Sequence, residues 1–565
     1  MSEAARPGFR AEAAGVFTAH LALTALTFVR LWPRLQTDAV VKSEIDFGPN
    51  LWLQWWGPFA AGRGLNPFRT SWMFHPAGSA LSIDAGVVQW ILAAPLSLML
   101  NPLGVYNVLA AFSYLATGLV SYVLFRLYSR PAGAFLGSLA FTFSAYRNYR
   151  FLVSHTDLLQ TQWCVLLILA YVLYARPDRT IKNGGWLLAC AALACGADPR
   201  SLLMTVLFLA VFTAAALRDA GRAAPGRART LAGKALVLAS AVAVFILPTA
   251  VPAMREMGLF WGATPRHPEA FRAGWRELLL LPNHHALRAF AAEAPNNWRE
   301  SNGGYWNPAL LALTAAGLAR CRERRDVRPF AAALAVFAVL AAARWPLAHL
   351  PVLALLHVPA RFALITTLCA SLFAALGWDW TSPRLSPLAR RLLWGSLAAA
   401  VFLETNPVFQ RPSPVWDADA SALEAVRTAG GAGAVVDLPV SLSPMIAGQG
   451  SNFRAFLRAT RHERPIVNGN LSFPSAAVRE HLLARTDLQS LFACQERGDC
   501  AALDDGSWRR LRRDEDMRFL IVDKRDPATP LTAALLRTPS VARFAESGDL
   551  EVFEIVEGPA GRQRR

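Results

Sequence analysis

The sequence predicts a polytopic α-helical membrane protein of about eleven transmembrane helices, spanning residues 1–405, followed by a soluble α/β domain over 406–565. Three observations predict it. The 565 residues are 54% hydrophobic and only 17% charged, with mean hydropathy +0.29. Apolar runs approaching the roughly 20 residues that cross a hydrocarbon core recur up to residue 405 and are absent beyond it. The basic residues gather in short clusters between those runs, the pattern by which a membrane protein sets its orientation.

The net charge of +17 and pI near 10.3 would suggest nucleic acid in a soluble protein. Here the location of the charge, in turns between apolar runs, argues against it. The apolar run after MSEAARPGFRAEAA has no small-residue cleavage site and leads into Arg30, Pro33 and Arg34, so it reads as a retained first helix. Of seven cysteines, Cys164, Cys190, Cys195 and Cys369 lie in apolar runs and Cys321 in a basic loop. Cys494 and Cys500 share a polar context where a disulfide is allowed if that domain is extracytoplasmic, and spacing alone leaves the pairing open.

Charge then orients the helices. The clusters are Arg126 with Arg130; Arg176, Arg179 and Lys182; Arg218 to Lys234; Arg320 to Arg328; and Arg384, Arg390 and Arg391. Placing all five inside requires an even number of crossings between successive clusters. Spans near 13–33, 103–126, 132–147, 158–176, 183–197, 200–217, 234–254, 306–320, 329–344, 361–380 and 391–405 meet that demand. The run at 85–100, broken by Pro95, is then re-entrant or interfacial, because counting it would put every cluster outside. The N-terminus is expected in the cytoplasm of a bacterial inner-membrane protein, and the C-terminal domain outside. In that domain AVVDLPV (434–440) and FLIVDK (519–524) read as buried strands and SAAVREHLLARTDLQSLF as helical.

The outer segments, 34–102, 147–158, 197–200, 255–305 and 344–360, carry the candidate chemistry. Their tryptophans, among them Trp52, Trp55, Trp56, Trp72, Trp90 and Trp306, are expected as interfacial anchors. In the first outer loop, which carries juxtamembrane helices, Glu44 and Asp46 are carboxylates suited to act as a general base at the membrane surface. A solvated loop acid is the plain alternative. SAYRNYRFLVSHTDLLQTQW places Arg147, Arg150, His155 and Asp157 between two spans, where ionisable groups are costly unless paired or functional. The two arginines suit a phosphate, or are snorkelling interfacial cations; His155 and Asp157 suit an acceptor or a metal. Asp198 and Arg200 in GADPR, His284 and His285, Glu300, and His357 with Arg361 are further outer-face groups. A cation at a helix start, as at Arg361, invites an anionic partner.

These residues resemble a known pattern. The chain is similar to the GT-C superfamily of membrane glycosyltransferases, which includes oligosaccharyltransferases, protein O-mannosyltransferases and lipid A aminoarabinose transferases. The resemblance rests on an acid soon after the first helix (Asp46, with Glu44 beside it), an NPF/HPAG segment from Asn66 to Gly78, the basic turn YSRPAG at 128–133, and the RNYRFLVSHTDLL loop. It implies an inverting hexosyl or pentosyl transferase using polyprenyl-phosphate or diphosphate sugars on the periplasmic face. The resemblance carries the base onto Asp46 and the acceptor or metal ligand of the second loop onto Asp157. From the residues themselves, Glu44 is the reserve base, Arg147, Arg150 and Arg361 are read as holding the donor phosphate, and His155, Asp198 and Glu300 as lining the acceptor or metal side with Asp157. HTD stands where a paired-acid DxD occurs in the family, so a divalent metal stays open and no cofactor is fixed. The implied partners are membrane lipid, the polyprenyl-phosphate sugar, and a glycan, lipid or protein acceptor. A flippase for a lipid-linked glycan and a non-catalytic scaffold are the alternatives; a flippase calls for broken helices in symmetric halves, and the sequence has no internal symmetry.

Overall fold

The computed structural model describes residues 9–556, apart from 43, 82–83, 176–183, 224, 257–281, 283–284, 287–303, 343–355, 357, 417–419, 441–451, 470, 472–475, 499 and 526–529. Helix α1 (Phe9–Thr27) leads through β1 (Asp38–Ala39) into α2 (Glu44–Gly62), the two-residue strands β2 (Arg69–Thr70) and β3 (Ser79–Ala80), and α3 (Val87–Leu96). The apolar bundle continues with α4 (Pro102–Arg126), α5 (Pro131–Thr142), α6 (Ala145–Leu152), α7 (Thr156–Leu159), α8 (Gln162–Ala175), α9 (Gly184–Ala197), α10 (Pro199–Ala223) and α11 (Pro225–Glu256). It closes with α12 (Pro308–Ala319), α13 (Arg328–Ala342), α14 (Ala363–Thr381) and α15 (Pro387–Leu403).

Every segment expected to span the membrane is helical over most of its length. By length and composition five described helical stretches can cross one: Pro102–Arg126, Thr156–Ala175, Pro199–Arg222, Gly226–Pro248 and Ala360–Arg384. The starts repeat one device. Proline stands in the first turn of α4, α5, α12 and α15, where its missing N–H costs nothing, and Asn101, Asn307 and Ser386 accept backbone N–H groups as N-caps. Helix α3 has ten residues and holds Pro95; at 1.5 Å per residue it is about 15 Å long, half a hydrocarbon core.

Beyond β4 (Ser413–Pro414) the chain forms α16 (Ser421–Thr428), β5 (Ala434–Leu438), α17 (Phe453–His462), α18 (Ala476–Ala484), α19 (Thr486–Arg497), α20 (Asp505–Glu515), β6 (Met517–Asp523), α21 (Pro530–Arg537), β7 (Val541–Ser547) and β8 (Leu550–Ile555). The sheet order is β5-β6-β8-β7, with β5 and β6 parallel and the other pairs antiparallel. The two strands read from the sequence are the buried pair β5 and β6; β7 and β8 lack such a continuous apolar run, because β7 is largely half-exposed and Glu551 and Glu554 interrupt β8. Cys494 and Cys500 are disulfide-bonded.

The core of the C-terminal region also takes in the first outer loop, while the bundle cores lie wholly before residue 405. Backbone hydrogen bonds run from Ile466 N to Trp72 O (3.0 Å), from His75 N to Ile466 O (3.0 Å) and from Phe74 N to Asn468 O (3.2 Å). Val467 N in turn bonds Val435 O on β5 (3.0 Å), so the first outer loop extends the sheet through 465–468. Trp52, Trp56, Phe74 and Trp90 are buried in one apolar cluster with Val435, Phe456, Leu520 and Phe553. Trp52 and Trp56 are therefore core residues rather than interfacial anchors: they are fully buried and stacked, with ring centroids 5.2 Å apart. Helix α2 explains why. Trp52, Trp56 and Ala60 recur at four-residue spacing and join the C-terminal core, where α17 packs on α2, while Phe47 and Leu51 face α4 through Leu103 and Tyr106.

Candidate active site

Asp46 lies in the first turn of α2, where a carboxylate complements the helix N-terminus, rather than in an irregular loop. Two contacts fasten α2 and its approach to the second outer loop: Lys42 N bonds Leu152 O (2.8 Å) and Asn50 Nδ2 donates to Ser154 O (3.0 Å). Ser154, with φ of 63°, turns the chain between α6 and α7 and delivers His155 to Asp46.

There a hydrogen-bonded row forms. Asp46 Oδ2 is 2.9 Å from His155 Nε2, and His155 Nδ1 is 2.9 Å from Arg150 Nη1. A guanidinium only donates. Nδ1 of the imidazole is therefore the acceptor, its proton sits on Nε2, and that N–H points at the carboxylate. Arg150 is fully buried between the rings of Tyr146 and Tyr149, 4.9 and 5.3 Å from their centroids. Asp46 is 38% exposed and faces the open side.

Two residues on, Asp157 enters a second cluster. Arg200, buried at the start of α10, pairs with Asp157, with Asp198 (2.9 Å) and with Asp84 (3.5 Å). Asp198 also caps α10: its Oδ2 accepts from Ser201 N (2.9 Å) and Ser201 Oγ (2.6 Å). Buried charges survive only when paired, and here three carboxylates surround one guanidinium. Asp157 Oδ1 is buried with no hydrogen-bond partner among the described residues. For a divalent metal the fit is poor, because Arg200 occupies the centre of the acids and both Asp198 oxygens are engaged. Among the described residues no group of three or more His, Cys, Asp or Glu is placed to hold a metal.

The remaining sequence candidates separate. Arg147 is fully buried and faces the protein: Nη1 donates to Thr142 O (2.9 Å), Nη2 to Ser113 Oγ (2.9 Å), and the group lies 4.6 Å from the Tyr114 ring centroid. It braces α4 against the second outer loop and is not presented to a phosphate. Arg150 likewise stands behind His155 rather than in the open. Arg361 is half-buried in a short 3-10 turn preceding α14. Glu44 begins α2, but its side chain lies outside the described residues, as do Glu300, His284 and His357.

Sequence reasoning missed Asp84, Glu404 and Tyr305. Glu404, at the end of α15, accepts from His285 Nε2 (3.0 Å), Tyr305 OH (2.5 Å) and Asn307 Nδ2 (2.7 Å). A carboxylate closing an apolar helix was the available signal.

No established family profile matches the sequence, and no curated protein matches it. Solved structures do. Arabinofuranosyltransferase AftD from Mycobacteria aligns with TM-score 0.59 at 13% identity, covering 97% of this chain and 42% of that one, so this chain spans less than half the mycobacterial enzyme. The Archaeoglobus fulgidus oligosaccharyltransferase aligns with TM-score 0.54 at 11% identity over 93% of this chain and 71% of that one. ArnT from Cupriavidus metallidurans aligns with TM-score 0.52 at 14% identity over 98% and 100%. The apolar helical bundle, the outer-loop helix pressed against an α/β unit, and these alignments agree: the chain has the GT-C fold that these membrane glycosyltransferases share.

Proposed function

We propose that this chain is an inverting membrane glycosyltransferase that moves a sugar from a polyprenyl-phosphate carrier to a lipid, glycan or protein acceptor on the outer face of a bacterial inner membrane. The observation that carries the reading is the Asp46–His155–Arg150 row, which joins two segments 109 residues apart in sequence. Ligands of the structural neighbours point the same way: ArnT has been solved with undecaprenyl phosphate, and the archaeal enzyme with a dolichol-phosphate and an inhibitory peptide.

In this reading Arg150 fixes the His155 tautomer, and His155 N–H holds one oxygen of Asp46. The other oxygen takes the proton of the acceptor hydroxyl or amine as its O or N attacks the sugar C1. The new C1–acceptor bond forms as the C1–O bond to the carrier phosphate breaks, and the electron pair leaves with the phosphate. Arg361 is the cation proposed to receive that charge. No step is assigned to a metal. Eleven spans, a cytoplasmic N-terminus and an extracytoplasmic α/β unit complete the proposal; the Cys494–Cys500 disulfide supports an oxidising compartment for that unit.

The test is transfer by the purified full-length protein from a panel of radiolabelled polyprenyl-phosphate sugars. We expect one donor to be used, and Asp46→Asn to lower turnover by at least about 100-fold with unchanged elution on size exclusion. Full activity in Asp46→Asn removes the base assignment.

A further inference from the structure

At the end of the bundle opposite Asp46, three turns that the sequence keeps far apart meet around one cleft. Helix α4 starts beside the first outer loop and ends at Arg126, so the α4–α5 turn lies at the far end, joined by the α12–α13 and α14–α15 turns. The cleft encloses about 1370 Å3 of space open to solvent. Five guanidinium groups line it, from Arg126, Arg130, Arg320, Arg324 and Arg384, against one lining carboxylate, Asp379.

Three of these arginines have acidic partners: Arg126 with Glu12 (2.8 Å), Arg320 with Glu323 (2.6 Å) and Arg324 with Asp326. Arg130 and Arg384 have no ion pair among the described residues. Arg384 lies over the Trp380 ring, 4.2 Å from its centroid, and Trp380 also lines the cleft. The floor already attracts an oxyanion. Asp379 Oδ2 accepts from Arg130 N (2.8 Å) and Ser129 Oγ (2.8 Å) at the N-terminus of α5, where backbone N–H groups and the helix dipole favour negative charge.

We propose that this cleft binds the phosphate of an anionic phospholipid headgroup. Two spanning stretches, Pro102–Arg126 and Ala360–Arg384, end at its rim, which sets it at headgroup depth. Leu376 and Trp380 offer an apolar wall to the glycerol and upper acyl chain, a position Trp favours at a membrane interface. A phosphodiester accepts from planar guanidinium pairs, and Arg130 and Arg384 are the two that can turn to it without breaking an ion pair. The inference is independent of the catalytic reading.

The measurement is native mass spectrometry of the full chain released from nanodiscs of equal parts phosphatidylglycerol and phosphatidylcholine, counting retained lipid. The unaltered protein should retain phosphatidylglycerol preferentially, and Arg130→Gln and Arg384→Gln should each reduce that preference about five-fold. Arg130→Lys, which keeps the charge and loses the planar fork, should keep only part of it, and Arg427→Gln, on the exposed face of α16, all of it. Equal retention of both lipids by the unaltered protein overturns the proposal whether or not the variants fold. A preference unmoved by the glutamine exchanges overturns it as well. Displacement of the lipid by millimolar inorganic phosphate would assign the cleft to a soluble anion instead.

Discussion

The imidazole of His155 has one job the geometry makes explicit: it converts the fixed donor Arg150 into a donor aimed at Asp46. Removing it leaves Asp46, the proposed base, present but unoriented, and leaves Arg150 buried. His155→Ala should therefore lower kcat by about 10- to 100-fold, less than loss of the base itself, with KM for the acceptor little changed; an equal loss in both would mark His155 as a binding residue. A second histidine gives a pH signature in the C-terminal region. His462 is fully buried, and burial first, then the charges of Arg464 and Arg458, push its pKa down to about 3. The unfolded chain takes up a proton near pH 6.5 that the folded one refuses, so stability falls as pH drops from about 6.5 toward 3, by about 1.4 kcal/mol per pH unit. His462→Asn, which keeps an acceptor for Arg464 N, should flatten that slope in denaturant melts of the full chain. The sequence disclosed Asp46, His155 and Asp157 because acids and a histidine between apolar runs are conspicuous. It concealed that Arg147 turns inward, since a neighbouring arginine in RNYR differs from it only by helical phase, and that Asp84, a lone acid in ALSIDAGVV with no partner near it in sequence, faces Arg200.

Among elements, α12 and α14 come into backbone contact, and two glycines set the distance. A Cβ on Gly317 would lie 1.9 Å from Phe373 O, and one on Gly377 2.0 Å from Leu313 O. The helices therefore touch backbone to backbone, the arrangement small residues permit where no hydrophobic force drives helices together. Gly377→Leu should cost at least about 1–3 kcal/mol, seen as a lower thermal midpoint in detergent. Gly395→Ala on α15, where nothing lies within 4 Å, should leave the midpoint unchanged or raised. A midpoint unmoved by Gly377→Leu would refute the contact. Helix existence was readable because apolar runs, prolines and caps all act locally. The α12–α14 contact was not, because a glycine inside an apolar run has no distinguishing neighbour in sequence. Helix α2 differs again: it carries Pro49 and Pro58 in its interior, against local propensity, and burial of two faces holds it.

Seen whole, the molecule packs its outer loop and its C-terminal sheet into one core, and we expect the two to unfold together. Sequence reading placed a domain boundary at 405 because the hydropathy changes there, and hydropathy carries no information about which soluble segments share a core. The shared core has a measurable consequence. Phe74 sits beneath Gly469, whose Cβ would lie 2.1 Å from the Phe74 ring, and its backbone N–H bonds Asn468 O. His75 adds a bond to Glu515 O (2.9 Å), and Arg63 pairs with Glu463. Phe74→Ala removes a fully enclosed ring at this joint, at a cost of about 3–5 kcal/mol. If the C-terminal region were a separate domain, that cost would fall on the outer loop alone. Because the two share a core, limited proteolysis of Phe74→Ala should cut sooner within residues 421–555, and a fragment of residues 406–565 expressed without the rest should fail to give a cooperative melt. A cooperative fragment, with protection of 421–555 unaffected by Phe74→Ala, would mean the first outer loop merely leans on the sheet, and the wall it lends to the Asp46 site would no longer be fixed to α17 and β5.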